Sequence, residues 1–455
     1  MKKIVALLAA LFIIYFAEAQ KPKWVVAGPM LGYTELRTSK VWVEMQAGIA
    51  SATLRYQKEN GNAKTITLKK TETAFPNIFV FSITALDPGT KYNYTISVPP
   101  QTGTIGGSFT TNIFWQWRNM PVPDFNFITG SCAYFNQPEY DRLSRAPYGG
   151  DSSIFETMAK EKADFMLWLG DNWYTRVPDY FSAYGLNYRA SRDRSLPVMQ
   201  NFLKAMPHYA IWDDHDYGPN DADKSYVLKD DSRKVFMNYW CNPSYGMNGQ
   251  GTYTELIQND VAVFMLDDRW FRSNDELPDS MNGAPDKNKK MFGDEQMEWL
   301  RNALLFSKTN PHVNFRIIAT GSQVLNPMSP FDCMRHFSAE YNELMNFITD
   351  NKIGGIIFLT GDRHHSEIIK IDRQGAYPLY DITSSPLTSG VAKTKDAEQN
   401  NPYRIIPEID AQNYTRFTFT GDIKNRKLTV TFLGVHGEQL GQWSVNAGEL
   451  TVKRD

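Results

Sequence analysis

The chain has 455 residues, 42% of them hydrophobic and 22% charged, with a net charge of −2. That is a globular composition with room for more than one domain. It excludes a disordered chain and a nucleic-acid binder, because Lys and Arg are scattered and form no basic tract.

The first residues, "MKKIVALLAALFIIYFAEAQ", hold Lys2 and Lys3, an apolar run from Ile4 to Phe16, and then Ala17-Glu18-Ala19. This order predicts a secretory signal peptide over residues 1–19, cleaved after Ala19, and hence an exported protein, periplasmic or extracellular. The apolar run is short for a spanning helix, no cysteine follows it to carry a lipid, and no Arg-Arg pair precedes it. No later segment is long and apolar enough to span a membrane, so none is expected in the mature chain.

Residues 20–115 read as all-β. "SKVWVEMQA" alternates, with Val41, Val43 and Met45 on one side and Trp42 and Glu44 on the other. "ATLRYQ", "KTITLKK", "NIFVFSITAL" and "LDPGTKYNYTISV" follow, with turn residues between them. Short strands at regular spacing predict a β-sandwich of immunoglobulin or fibronectin type III kind. Residues 112–124, which hold all of "WQWRNMPVPDF" but its last residue, read as a linker.

From residue 125 to the C-terminus at 455 the period changes. Apolar strand-like runs ("FNFITG", "DFMLWLGD", "HYAIWDD", "DVAVFMLDD", "NFRIIATGS", "KIGGIIFLTGD") alternate with helical stretches such as "GDEQMEWLRNALLFS" and "FSAEYNELMNFITDN". The pattern predicts a layered α/β domain whose inner strands are buried on both faces. "YTRFTFTGDIKNRKLTVTFLG" and "GQWSVNA" return to β-hairpins.

The inner strands end alike. "FNFITGSCAYFN" ends in Cys132, and "FMLWLGDNWYTR" in Gly170-Asp171, with Tyr174 three residues on. "HYAIWDDHDYGPND" ends in Asp213, Asp214, His215 and Asp216, with Asn220 beyond. "FRIIATGSQ" ends in Ser322-Gln323 and "IIFLTGDRHHSE" in Asp362, Arg363, His364 and His365. Ligands of open α/β sheets bind beyond the carboxyl ends of the strands. Carboxylates and imidazoles buried there need a partner, and a metal ion suits Asp, His, Asn and Tyr at once. Gly170 and Gly361 would let the backbone turn so that the next side chain faces the ion. An extended segment would point Asp362 and His364 to one side.

Singly, several residues have plainer readings. Cys132 could be a small buried hydrophobe. His208 and His312 read as surface or capping residues, and His336 and His436 have no company of ligands. Asp267 and Asp268 suit either an ion-pair turn or a supporting role, and Arg176 and Arg189 either surface cations or substrate clamps. With three cysteines, Cys132, Cys241 and Cys333, at least one stays unpaired.

Together, "GSCAYF", "LGDNWY", "IWDDHDYGPND" and "LTGDRHH" resemble the signatures of PhoD-like alkaline phosphatases and phosphodiesterases, within the calcineurin-like metallophosphoesterases. "LDPGTKYNYTI" is also similar, so the likeness covers the sandwich and residues 125–370. The resemblance implies a metallophosphoesterase-type layered α/β sandwich preceded by the immunoglobulin-like domain. It implies that Cys132, Asp171, Tyr174 and His364 hold Fe(3+), and that Asp171, Asn220 and Asp362 hold Ca(2+), with Asp171 bridging; other divalent metals are possible. His215 matches the active-site histidine, and Asp213 and Asp214 match the acidic pair, with Asp171 and Asp214 counted beside His215 as catalytic. Arg176 is placed as the substrate-binding side chain. The sequence departs from the family pattern in two places: the twin-arginine leader is replaced by Lys2-Lys3, which implies metal uptake after export, and Pro219 precedes Asn220 where another polar residue is usual.

The expected reaction is hydrolysis of a phosphate ester by attack of metal-bound hydroxide, as in an alkaline phosphatase, with His215 protonating the leaving alkoxide. The substrates are small-molecule or polymer phosphate esters. Two alternatives remain: a phosphodiesterase of phospholipase D-like activity on the same scaffold, and a non-catalytic exported binding protein.

Overall fold

The computed structural model describes residues 21–141, 143 and 146–451. The signal peptide expected at residues 1–19 lies outside the described residues. Among those described, no helix is long and apolar enough to cross a membrane.

The N-terminal strands form two antiparallel sheets. Val25–Thr34, Thr38–Met45 and Asn77–Thr84 make one; Lys64–Lys69, Ser51–Lys58, Lys91–Ser97 and Ile105–Thr110 make the other, in those orders. Val41, Val43, Leu54, Phe79, Phe81, Ile83 and Ile96 fill the space between them. The alternation of "SKVWVEM" therefore sets the inner face as expected. Its outer residues differ: Trp42 and Glu44 are fully buried too, because that side of the sheet is covered by the α/β region. Residues 111–124 run without helix or strand.

The α/β region is built on two six-stranded sheets. One runs His208–Ile211, Phe165–Leu169, Phe125–Gly130, Asn413–Thr420, Lys427–Gly434 and Gln439–Asn446; its first three strands are parallel and the C-terminal hairpins complete it. The other runs Thr254–Gln258, Val261–Met265, Phe315–Thr320, Ile356–Thr360, Ala376–Thr383 and Glu367–Arg373, parallel through its four middle strands. Facing residues of both sheets, among them Phe127, Leu167, Leu169 and Phe417 with Val263, Ile317, Ile357 and Leu359, share one apolar core. The outward residues of the first sheet, Ile128, Met166, Trp168 and Ala210, pack on helices Ala183–Ser195, Pro197–Ala205 and Lys229–Tyr239. Strands covered on both faces have no polar side, which is why they read as unbroken apolar runs.

Two side chains expected at the surface lie in this interior. His208 is completely buried and accepts the Trp168 indole N–H at 3.1 Å; burial holds its pKa down to about 3. Arg189 is also completely buried and pairs with Asp179 at 2.8 Å and Asp193 at 3.6 Å, so it is neither a surface cation nor a clamp. The three cysteines are all unpaired and buried.

Candidate active site

The carboxyl ends of the parallel strands meet between the two sheets and are tied by main-chain hydrogen bonds. Ala133 N donates to Asp171 O at 2.8 Å, Gly361 N to Gly321 O at 2.8 Å, and Leu387 N to Ser131 O at 2.8 Å. The last bond joins one sheet to the other. Gly170 is a true left-handed glycine (φ 90°), and a Cβ there would lie 2.6 Å from that of Asp213. Gly361 serves differently from its expected turning role. Its φ is ordinary, but a Cβ would strike Leu169 O at 2.7 Å and Ser131 Oγ at 2.8 Å, so it lets two strand ends approach.

The side chains delivered there converge. One ligand atom each from Cys132, Asp171 and His364 lies within 4.8 Å of the others, and so do atoms from Asp171, Asp214 and His215. Asp171 belongs to both clusters. Cys132 Sγ lies 3.6 Å from Asp171 Oδ2, and the Tyr174 hydroxyl 3.1 Å from His364 Nε2. His364 Nδ1 contacts the Gly390 carbonyl at 2.8 Å. A carbonyl only accepts, so Nδ1 carries the proton and Nε2 presents a lone pair toward Tyr174. The segment holding Asp362 and His364 is not extended: both residues, like Cys132 and Asp171, have left-handed backbones (φ 66°, 58°, 62° and 51°). Such conformations persist only where the surroundings impose them, and they gather at functional sites.

The "WDDHD" carboxylates divide their work. Asp213 caps the short helix Asp214–Tyr217 and takes the Arg269 guanidinium at 2.5 Å. Asp214 instead faces Asp171 and His215, accepting the backbone N–H of His215 at 2.8 Å and of Asp221 at 2.7 Å. The His215 ring lies 4.1 Å from that of Tyr174, and its Nδ1 is buried without a partner.

The protein groups alone make this a hostile place for negative charge. Burial, then neighbouring Asp214 and Cys132, raises the pKa of Asp171. Burial, then Asp332 and Asp214, pushes Asp362 up to about 7, and burial with Asp362 pushes the Cys132 thiol up to about 11. Burial also raises Tyr174 and lowers His364. Asp214, unlike Asp171 and Asp362, moves down: burial opposes its ionisation, but His215, Arg269 and the Asp221 amide outweigh it. Thiol, phenol and the Asp171 and Asp362 carboxylates thus crowd together, each opposing the others' negative charge, which is the electrostatic demand that bound cations satisfy.

Two expected residues stand apart. Asn220 is exposed at the rim, its amide donating to Asp221 Oδ2 at 2.5 Å. Arg176 is buried with its donors taken up by the Tyr174 carbonyl, the Phe135 carbonyl (2.9 Å) and Asp141 (3.1 Å), and it lies 4.0 Å over the Tyr134 ring. The geometry makes Arg176 a brace for the Tyr174 backbone, not a substrate clamp. Asp267 proves to be a turn-former, accepting the Trp212 indole at 2.7 Å and the Trp270 amide at 2.9 Å.

Sequence reasoning missed three contributors. Ser385 Oγ lies 3.2 Å from Cys132 Sγ, the Tyr148 hydroxyl lies 2.9 Å from His364 Nδ1, and Arg269 spans Asp213 and Asp332. "SSPLTSG" and "APYGG", which hold the first two, contain no ligand-like pattern. A cavity of about 1260 Å³ opens from the site, lined by Asn220, Asp221, Asp332, Asp362, His364 and the apolar Met328, Pro330 and Phe331, among others.

A sequence profile of PhoD-like phosphatases matches residues 127–432, and one of a domain of unknown function (DUF7800) matches residues 23–103. Alkaline phosphatase D of Bacillus subtilis (strain 168) is 23% identical over 321 residues, covering 62% of this chain and 52% of that protein. The chain therefore spans about half the length of this curated relative. The fold is shared with a solved structure of PhoD (TM-score 0.73, 18% identity, 93% of this chain and 89% of that one). It is also shared with purple acid phosphatase PPD1 from yellow lupin (Lupinus luteus) seeds (TM-score 0.66, 11% identity, 92% of this chain and 74% of that one). With about two-thirds of its length matched by the profile, the chain belongs to the PhoD-like phosphatase family.

Proposed function

We propose that this chain is an exported, metal-dependent phosphoric ester hydrolase of alkaline-phosphatase type. The observation that carries the reading is the place of Asp171 in both clusters, with Cys132 and His364 on one side and Asp214 and His215 on the other. A carboxylate so placed suits two cations a few ångströms apart. Cys132, Tyr174, His364 and Asp171 would hold Fe(3+), since thiolate and phenolate favour a charged, oxidised transition metal. Asp171 and Asp362 would supply oxygen ligands for Ca(2+) or another hard divalent cation, with Asn220 at the rim where its amide now meets Asp221. Export rests on the leader-like residues 1–19 and is tested by sequencing the N-terminus of secreted protein, expected at Gln20.

When bound, the cations supply Lewis-acid polarisation of the phosphate and a lowered pKa for water. The chain's own groups do the rest. Nδ1 of His215, which has no partner among the described residues, would hold the proton for the leaving alkoxide. Tyr174 backs the His215 ring and limits its rotation. Asp214 fixes the start of the helix that carries His215 through the His215 amide, and Asp213, held by Arg269, caps it.

A second reading, diester hydrolysis, is favoured by the cavity: about 1260 Å³ far exceeds the volume of a phosphate, and its apolar wall suits a large alcohol. Elemental analysis of purified protein, paired with turnover of p-nitrophenyl phosphate and bis-p-nitrophenyl phosphate, tests both readings. Metal-loaded protein is expected to cleave at least one, and the ratio assigns mono- or diesterase; cleavage of neither would overturn the proposal.

A further inference from the structure

Trp173 lies inside the loop that presents Asp171 and Tyr174, yet its ring turns away from them. It is 1% exposed, near-parallel to Trp240 (6.3 Å, 12°) and edge-on to Tyr239 (6.1 Å). Over these rings sits Arg194, from the end of the helix Ala183–Ser195. The residue is 2% exposed, and its guanidinium lies 3.7 Å above Trp240 and 5.9 Å from both Trp173 and Trp42. Nη1 contacts Met30 Sδ at 3.0 Å and Nη2 has no partner. A desolvated guanidinium so poor in hydrogen bonds is held chiefly by ring faces.

The N-terminal sandwich supplies Trp42 to the cage and places Glu44 beside it. Trp42 donates its indole N–H to the Asn238 carbonyl at 2.7 Å, and Glu44 accepts the Ser191 hydroxyl at 2.7 Å and the Tyr239 hydroxyl at 3.3 Å. The contact is close along its length: Tyr33 N donates to Cys241 O at 2.9 Å, and a Cβ on Gly32 would lie 2.2 Å from that of Cys241. Asp171 holds a left-handed backbone (φ 51°) that the surroundings must enforce. Trp173, two residues on in the same loop, packs against this cage.

We propose that Arg194, caged by Trp42, Trp173 and Trp240, positions the Asp171–Tyr174 loop, and that the N-terminal sandwich is thereby a structural part of the active centre rather than a detachable module. The proposal rests on the reading of Asp171 and Tyr174 as metal ligands. Arg194 is a positioning residue and Trp42 its support from the other sheet.

The test compares full-length Arg194→Met with Leu54→Ala, a truncation deep in the sandwich core and away from the cage. Each is melted, titrated calorimetrically with Mn2+ after metal removal, and assayed on p-nitrophenyl phosphate. Arg194→Met is expected to weaken Mn2+ binding and lower kcat by about tenfold or more, with KM little changed. Leu54→Ala is expected to lower Tm while keeping near-wild-type Mn2+ affinity and kcat. Folded Arg194→Met with wild-type affinity, or Leu54→Ala with the same losses, would overturn the proposal. Where Arg194→Met does not fold, Trp42→Phe carries the same comparison. A wild type that binds Mn2+ and cleaves no ester removes the activity reading, and the affinity comparison still decides the role of the cage.

Discussion

Cys132 Sγ and Asp171 Oδ2 meet at 3.6 Å in a fully buried position, although 39 residues separate them in the chain. Each follows the end of a parallel strand, Phe125–Gly130 and Phe165–Leu169, and the register of those strands sets the meeting. Asp171 is the one side chain common to both ligand clusters. Asp171→Ala is therefore expected to lose bound metal and to lower kcat/KM by about a thousandfold or more. Elemental analysis and kinetics on the same preparation check this; full metal content with normal turnover would contradict the assignment.

Cys132 separates the metal reading from a packing one. A buried thiol with a pKa pushed up to about 11 is protonated and inert unless a cation draws off its proton. Cys132→Ser preserves size and polarity and removes the sulfur. The variant is expected to fold, to bind ferric ion about tenfold or more weakly, and to lose any visible sulfur-to-metal absorption. An absorption spectrum identical to wild type would leave Cys132 as core alone.

The strand ends were legible because burial on both faces leaves no room for a carboxylate unless it sits where the strand stops. "IIFLTGD" and "FMLWLGD" therefore announced Asp362 and Asp171 directly. What local pattern does not encode is which distant surface covers a given face. Trp42 and Glu44 alternate outward as in any sandwich strand, and only the neighbouring helices reveal that the face is buried. His208 begins a strand and looks peripheral, yet Trp168 and Phe202 from other elements enclose it. Arg176 followed a ligand motif closely enough to suggest a clamp, but its guanidinium turns back to carbonyls of its own neighbourhood. Arg269 meets Asp213 from 56 residues away, a pairing that no spacing rule reaches.

That pairing carries a prediction of its own. Arg269 is completely buried between Asp213 at 2.5 Å and Asp332 at 2.6 Å. Removing one partner of a buried ion pair leaves an uncompensated charge, which costs about 3–5 kcal/mol. Arg269→Met is expected to lose about that much, and Asp213→Asn added to it should recover part, since Asp332 keeps Arg272 at 3.1 Å. Urea unfolding of the single and double variants measures both; a loss below about 1 kcal/mol for the single variant would mean the pair is dispensable.

Glu44 makes the sandwich contact sensitive to pH. Burial pushes its pKa up to about 7, against the opposing pull of Ser191, Tyr239, Arg194 and Lys21. Between the ordinary carboxyl value of 4.5 and about 7, the folded protein keeps a proton that the unfolded chain has released. The unfolded state then binds fewer protons, so this group's contribution falls as pH rises through that window and is flat on either side. At about 1.4 kcal/mol per pH unit the whole fall is about 3 kcal/mol. Glu44→Gln removes the titration while keeping an acceptor for Ser191. The stability of Glu44→Gln relative to wild type is expected to climb by about 3 kcal/mol from pH 4.5 to pH 8, read from urea unfolding at each pH. A difference that stays constant across that range would show that Glu44 ionises freely in the folded protein.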